Sequence, residues 1–182
     1  MTPRTETILD GAAVERTLRR MADAIVESNG GTDGLILVGI QRRGVQLAAR
    51  IAAIIRRVEG VEVPQGALDI KLYRDDLQTV GPRPVVGRTL LPGPIDGQRV
   101  MIVDDVLYTG RTIRAALDEL ADFGRPARIG LAVLIDRGGR ELPIQPDVVG
   151  KKVEVPPGDR VEVQVPEIDG SDGVTMVSPG SR

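Results

Sequence analysis

Two adjacent carboxylates, Asp104 and Asp105, stand just ahead of the short polar run Thr109-Gly110-Arg111-Thr112. Ionised carboxylates only accept hydrogen bonds, which suits the hydroxyl donors of a sugar. A small polar turn that opens a helix offers backbone N–H groups and the positive end of the helix dipole, which suits a phosphate. Gly110 lacks a Cβ, so the backbone there can approach a ligand closely. Upstream, Arg42-Arg43-Gly44 places two guanidinium forks, shaped for phosphate oxygens, directly after an apolar stretch. Cations at a helix N-terminus oppose its dipole, so an anionic partner explains them better than solvation does. The chemistry these residues describe is the holding of a sugar phosphate. The plain alternative for the acids is an ordinary strand-to-helix turn with Thr112 as its N-cap. The completeness of the run from Val100 to Thr112 argues against that alternative.

The elements that must position these groups follow from periodicity. Asp10 caps a first helix with apolar Val14, Leu18, Met21, Ile25 and Val26, stopped at Asn29-Gly30-Gly31. Leu35–Ile40 reads as a buried strand. A second helix follows, with Leu47, Ile51, Ile54, Ile55 and Val58 on one face and Gly60 at its end. Ala67 to Tyr73 reads as another strand. Residues 74 to 98 hold Pro82, Pro84, Pro92 and Pro94 without a helical period, and read as a long, exposed, flexible loop. Val100 to Val103 form a strand with Asp104 and Asp105 at its end, before a helix with Ile113, Ala116, Leu117 and Leu120 inward. Ile129 to Ile135 is a further strand, and residues 136 to 165 contain short ones.

Strands alternating with helices give an α/β domain with a largely parallel sheet. Ligands in such sheets bind beyond the carboxyl ends of the strands. Arg42 to Gly44, Asp104 with Asp105, and Asp136 with Arg137 each follow a strand, so the fold gathers them at one edge. The reading is one domain over residues 1–182, with about 170–182 a frayed tail.

Composition narrows the chemistry. The chain has 182 residues, no cysteine and no histidine. Disulfides, thiol nucleophiles and the commonest general base are therefore excluded. Tyr73, Tyr108 and Phe123 are too few for extensive base stacking. A net charge of −2 argues against a generally basic nucleic-acid binder, though not against a local patch. Met1 to Asp10 is polar, with no signal peptide, and no apolar run is long enough for a membrane. The expectation is a cytoplasmic protein without a membrane. Arg16, Arg19 and Arg20 share a face of the first helix, either as a solvated face or as a nucleic-acid contact.

The run from Val103 to Thr112 resembles the binding signature of the type I phosphoribosyltransferases, which use 5-phosphoribosyl-1-pyrophosphate. Further segments resemble one branch of that family, the bifunctional pyrimidine-operon regulators and uracil phosphoribosyltransferases known as PyrR. They include Ile36 to Ile40, Arg43-Gly44, Leu68-Asp69-Ile70, Leu72-Tyr73-Arg74-Asp75-Asp76, Gly124-Arg125-Pro126, Leu131 to Gly138, Arg140-Glu141-Leu142-Pro143 and Gly150-Lys151. The likeness runs from about Ile8 to about Val165. It implies a type I phosphoribosyltransferase-like fold with a small C-terminal strand region. It also implies that uracil and phosphoribosyl pyrophosphate give UMP and pyrophosphate, with substrate-bound Mg²⁺ met indirectly by Asp104 and Asp105. By the same likeness Asp104 and Asp105 hold the ribose, Val106, Leu107, Tyr108, Thr109, Gly110, Arg111 and Thr112 wrap the 5′-phosphate, and Val103 belongs to the same substrate-binding run. Arg42, Arg43, Gly44 and Arg137 complete the binding site. Lys71 and Arg74, with the acid pair, serve catalysis, and Asp105 is a base in reach of uracil.

The resemblance further implies UMP-dependent binding to a pyrimidine-operon mRNA leader through Arg19, Arg20, Arg140 and Lys151, and a homodimer or larger homo-oligomer. The chain departs from the family at several positions. Arg42 and Lys71 stand where a threonine is usual, Gly139 and Asp23 where a histidine is usual, and Gln145 where an arginine is common. Lys152 replaces an asparagine, and Pro156-Pro157 a threonine-serine pair. The substitutions at 23, 139 and 145 reduce the RNA face. Two other readings stay open: a phosphoribosyltransferase for a purine or orotate, and an RNA-binding UMP sensor with negligible turnover.

Overall fold

A computed structural model of the chain describes residues 3–70 and 89–180. Its elements run β1 (Arg4–Asp10), α1 (Gly11–Asn29), β2 (Leu35–Ile40), α2 (Arg43–Glu59), β3 (Gln65–Leu68), β4 (Arg99–Leu107), α3 (Arg111–Ala121), β5 (Arg128–Asp136), β6 (Val148–Lys152), β7 (Arg160–Gln164), α4 (Pro166–Asp169) and β8 (Gly173–Ser178). Five strands form a parallel sheet in the order β3-β2-β4-β5-β6. Three more form a small antiparallel sheet, β1-β8-β7. The expected α/β, type I phosphoribosyltransferase-like architecture is present.

The apolar pattern explains the layering. β2 is buried throughout, as expected of a strand covered on both faces. Leu35, Leu37, Met101 and Val103 pack with α1, α2 and the small sheet, against Leu18, Ile25, Leu47, Ile51 and Val174. Ile36, Val38, Val100 and Ile102 pack on the other face with Ile113, Ala116 and Leu120 of α3. The Asp10 carboxylate accepts from the Ala13 N–H at 2.8 Å, the cap its sequence position implied. Gly30 and Gly60 end α1 and α2 in the left-handed conformation.

Several expectations change. β4 does not stop at Val103 but continues through Asp104 and Asp105 to Leu107. β3, expected from Ala67, begins at Gln65 and ends at Leu68, with Asp69 and Ile70 outside it. Leu117 and Val58 lie exposed outside the packed helix faces. β1 was not anticipated, because only Leu9 of its residues is buried and no alternation marks it. The tail expected to fray instead contributes β8, the middle strand of the small sheet, with Val174 and Val177 buried. Lys71, Tyr73, Arg74 and most of the expected long loop lie outside the described residues.

Candidate active site

β2, β4 and β5 are neighbours and parallel, so their carboxyl ends lie along one edge. The three charged segments therefore meet there. Asp104 is buried, only 6% exposed, and its Oδ1 accepts from the Asp105 N–H at 2.9 Å. Asp105 is half-buried, and its Oδ1 accepts from the Val106 N–H at 2.7 Å. These bonds fix both carboxylates within the carboxyl-terminal part of β4, just ahead of the turn. Gly110, at φ 93°, begins α3 without a side-chain cap. Thr112 therefore is not the N-cap. Thr109 Oγ1 accepts from the Arg111 N–H at 3.3 Å, and Gly110, with no side chain to cap the helix, leaves the N–H donors that follow for an anion.

The turn before α3 is fastened from behind by residues 137–144. The Thr109 carbonyl accepts from the Glu141 N–H at 3.0 Å and the Leu142 N–H at 3.1 Å. Arg111 Nε pairs with Glu141 Oε2 at 2.9 Å. Arg140 donates through Nη1 to the Tyr108 carbonyl and through Nε to the Ile144 carbonyl, both at 3.0 Å. Its Nη2 pairs with Asp136 at 2.8 Å, with side chains only 16% and 11% exposed. Arg137 stacks on the Tyr108 ring, 3.9 Å from its centroid, and its Nε is buried without a hydrogen-bond partner among the described residues.

The turn between β2 and α2 is built by close approach. A Cβ on Gly44 would lie 2.5 Å from the Val103 carbonyl oxygen and 3.3 Å from the Asp104 Cα. Only glycine lets α2 start this close to Val103 and Asp104. Arg42 is exposed, and its side chain makes no hydrogen bond or ion pair among the described residues. Arg43 instead reaches Asp169 bidentately, Nη2 to Oδ1 at 2.7 Å and Nε to Oδ2 at 3.1 Å. The Arg43 hydrogen bonds, helped by the Val165 N–H, hold the Asp169 carboxyl below its ordinary pKa. Asp169, and after it the charge of Asp105, raises that of Arg43 despite partial burial. Sequence reasoning missed Asp169, 126 residues away in the chain. It also missed Asp172, which binds Arg50 bidentately at 3.0 and 2.9 Å.

The four cations expected to meet RNA separate into two groups. Arg20 donates to the Gly150 carbonyl at 3.3 Å, beside exposed Lys151 and Lys152 on edge strand β6. Arg19 is exposed and paired with Glu15 at 3.5 Å. Arg140, by contrast, spends its guanidinium inside the turn described above, which corrects its placement among solvent-facing cations. Gly139 sits at φ 76°, and a Cβ there would overlap the Tyr108 ring. A histidine at 139 is thus incompatible with the Arg137–Tyr108 stack as it stands.

Comparison with known proteins agrees with this geometry. The sequence pattern of the phosphoribosyl transferase domain matches residues 4–169. A protein of Roseiflexus sp. (strain RS-1) described as bifunctional protein PyrR is 57% identical over 171 residues, 93% of each chain. Its namesake from Deinococcus radiodurans is 49% identical over 179 residues, 98% of each. Among solved structures, a hypoxanthine phosphoribosyltransferase from Staphylococcus aureus superposes with a TM-score of 0.69 at 18% identity, covering 96% of this chain and 93% of that one. One from Trypanosoma cruzi, in a ternary substrates complex, gives 0.70 at 20% identity, covering 95% of both. At such identities the structures speak for the fold.

Proposed function

Because the chain belongs to the phosphoribosyltransferase family, and within it to the bifunctional PyrR proteins, we propose that it converts uracil and phosphoribosyl pyrophosphate to UMP and pyrophosphate and regulates pyrimidine genes by binding an mRNA leader. The observation that carries the enzymatic part is the fixed pair Asp104 and Asp105 against the uncapped start of α3. The carboxylates accept from the ribose hydroxyls, and the turn from Val106 to Thr112 takes the 5′-phosphate. Uracil nitrogen forms the bond to the anomeric carbon as the pyrophosphate oxygen leaves. Positive charge builds on the ribose in that displacement, and two nearby carboxylates stabilise it. The turn restrains the sugar so that the attacking nitrogen meets it in line. Asp105, half-buried and close to Arg43, is the candidate acceptor for the uracil proton.

The residues fit a magnesium ion brought with the substrate. Carboxylate oxygens are the ligands that ion prefers. Among the described residues no group of three or more His, Cys, Asp or Glu side chains forms a protein cage for a metal. Asp104 and Asp105 would meet such an ion through its water shell, and it would offset the pyrophosphate charge.

The RNA face is read as Arg19 and Arg20 of α1 with exposed Lys151 of β6, the strand whose Gly150 carbonyl accepts from Arg20. Pairing two protomers would enlarge that patch, so a homodimer or larger assembly is part of the proposal. Among the described residues no helix is long and apolar enough to cross a membrane. We place the reaction in the cytoplasm, where its substrates are made.

The test is a turnover assay with uracil, hypoxanthine and orotate, run beside filter binding of a leader RNA with and without UMP. UMP should form from uracil alone, and UMP should tighten RNA binding. Lys151→Ala should reduce the log-log salt slope by about one unit. Turnover of a purine base in preference to uracil would overturn the enzymatic reading.

A further inference from the structure

Tyr108 belongs to the turn that follows β4, yet its ring packs on residues that follow β5. Leu107, Asp136 and Lys152 stand in one row across β4, β5 and β6. Tyr108 and Arg137 each come one residue after that row, and the Arg137 guanidinium lies over the Tyr108 ring at 3.9 Å. Arg137 is itself tied, its N–H to the Leu107 carbonyl at 3.1 Å and its Nη2 to the Asp159 carbonyl at 3.4 Å. The ring's edge abuts Gly139, where a Cβ would overlap it. Arg140 holds the Tyr108 carbonyl at 3.0 Å. The ring is thus fixed from several sides while Tyr108 stays 48% exposed. So exposed a side chain contributes little to the core, and what it contributes is shape at the sheet's edge.

The order of the strands says which part of a ligand meets that shape. β4 lies between β2 and β5. In the displacement proposed above, the base attacks the anomeric carbon in line, opposite the departing pyrophosphate. The turn whose cations suit a pyrophosphate follows β2. With the sugar held at Asp104 and Asp105, the base arrives from the β5 side, where Tyr108 and Arg137 stand. The fold alone does not set the size of the base, since it also carries hypoxanthine phosphoribosyltransferases. We propose that Tyr108 is the specificity-determining residue: its ring, braced by Arg137 and admitted by Gly139, leaves room for the single ring of uracil and not for the two fused rings of a purine. This rests on the uracil phosphoribosyltransferase reading given above.

Calorimetry and turnover on the whole chain test this, with UMP and IMP as paired nucleotides and uracil and hypoxanthine as paired bases. The unaltered chain should favour UMP and uracil. Tyr108→Ala should lower the UMP-to-IMP affinity ratio by about tenfold or more through tighter IMP binding, the scale on which a pocket wall discriminates. The uracil-to-hypoxanthine ratio of kcat/KM should fall with it. Tyr108→Phe, which keeps the ring, should leave both ratios unchanged. If Tyr108→Ala does not fold, Tyr108→Leu takes its place, with the same direction of change. An unchanged ratio in the smaller variant would overturn the proposal. So would a ratio that falls only because UMP binding is lost, or one that falls equally in Tyr108→Phe. An unaltered chain that prefers hypoxanthine, or that binds neither nucleotide, would overturn the underlying reading instead.

Discussion

The β4–α3 and β2–α2 turns lie side by side, each joining a parallel strand to a helix with no side-chain cap and no acid in its first turn. They differ in what holds them. The β4–α3 turn is laced through its backbone carbonyls by Arg140, Glu141 and Leu142 from a neighbouring segment. Among the described residues the β2–α2 turn has one side-chain tie, from Arg43 to Asp169 at the surface. A site bound through backbone geometry is preorganised and resists adjustment. One bound through a single exposed ion pair has a weaker restraint. The contrast fits the reaction proposed above. The ribose phosphate is present in substrate and product alike, whereas the pyrophosphate has to leave.

The first way to break this contrast is to remove charge at the rigid turn. Asp104→Asn or Asp105→Asn should cut kcat/KM by about a hundredfold or more, the scale of a lost transition-state contact. Steady-state kinetics on variants with unchanged circular dichroism check this. Near-normal activity in both would remove the acids from the reaction.

A smaller effect should come from unlacing the same turn. Arg140→Ala leaves Asp136 nearly buried without its partner and frees the Tyr108 carbonyl. We expect a loss of about 3 kcal/mol in denaturant unfolding, the order for breaking one side of a buried pair. UMP should also bind more weakly, while the salt slope for RNA stays unchanged. A fall in that slope instead would return Arg140 to the RNA face.

The smallest effect belongs to the looser turn and depends on pH. The folded pKa of Asp169 is depressed, so its contribution to stability is present above the unfolded value and lost as pH falls through the folded one. The stability difference between the unaltered chain and Asp169→Asn should therefore be constant above about pH 5 and shrink below about pH 4. Thermal melts across that range measure it. A difference that grows on acidification would contradict the pairing.

These two turns also show what the sequence could reveal. The β4–α3 site was legible because its parts are contiguous: acids, glycine and helix start all lie within Asp104–Thr112. The sheet edge was legible because three apolar runs each end in charged residues. The Arg43 partner was not, since nothing local to Asp169 marks it as anything other than a helix-end acid. β8 was hidden for a different reason. Glycine and serine around it read as a loose end, while Val174 and Val177 carry too short an apolar pattern to outweigh them. Arg140 misled in a third way, because charge density signals a surface only when the charges are not spent on one another.

The strand order β1-β8-β7 has a consequence for how the molecule is made. A chain emerging from the ribosome presents its N-terminal elements first. By the time Ile144 has appeared, the acid pair, the α3 start and their backing are all available. Asp169, Asp172 and the strand between β1 and β7 come later, so Arg43 waits without its carboxylate and Arg50 has only Glu15. Birth order thus divides the candidate site: the β4–α3 turn and its backing mature early, and the surroundings of the β2–α2 turn are finished among the last steps of synthesis.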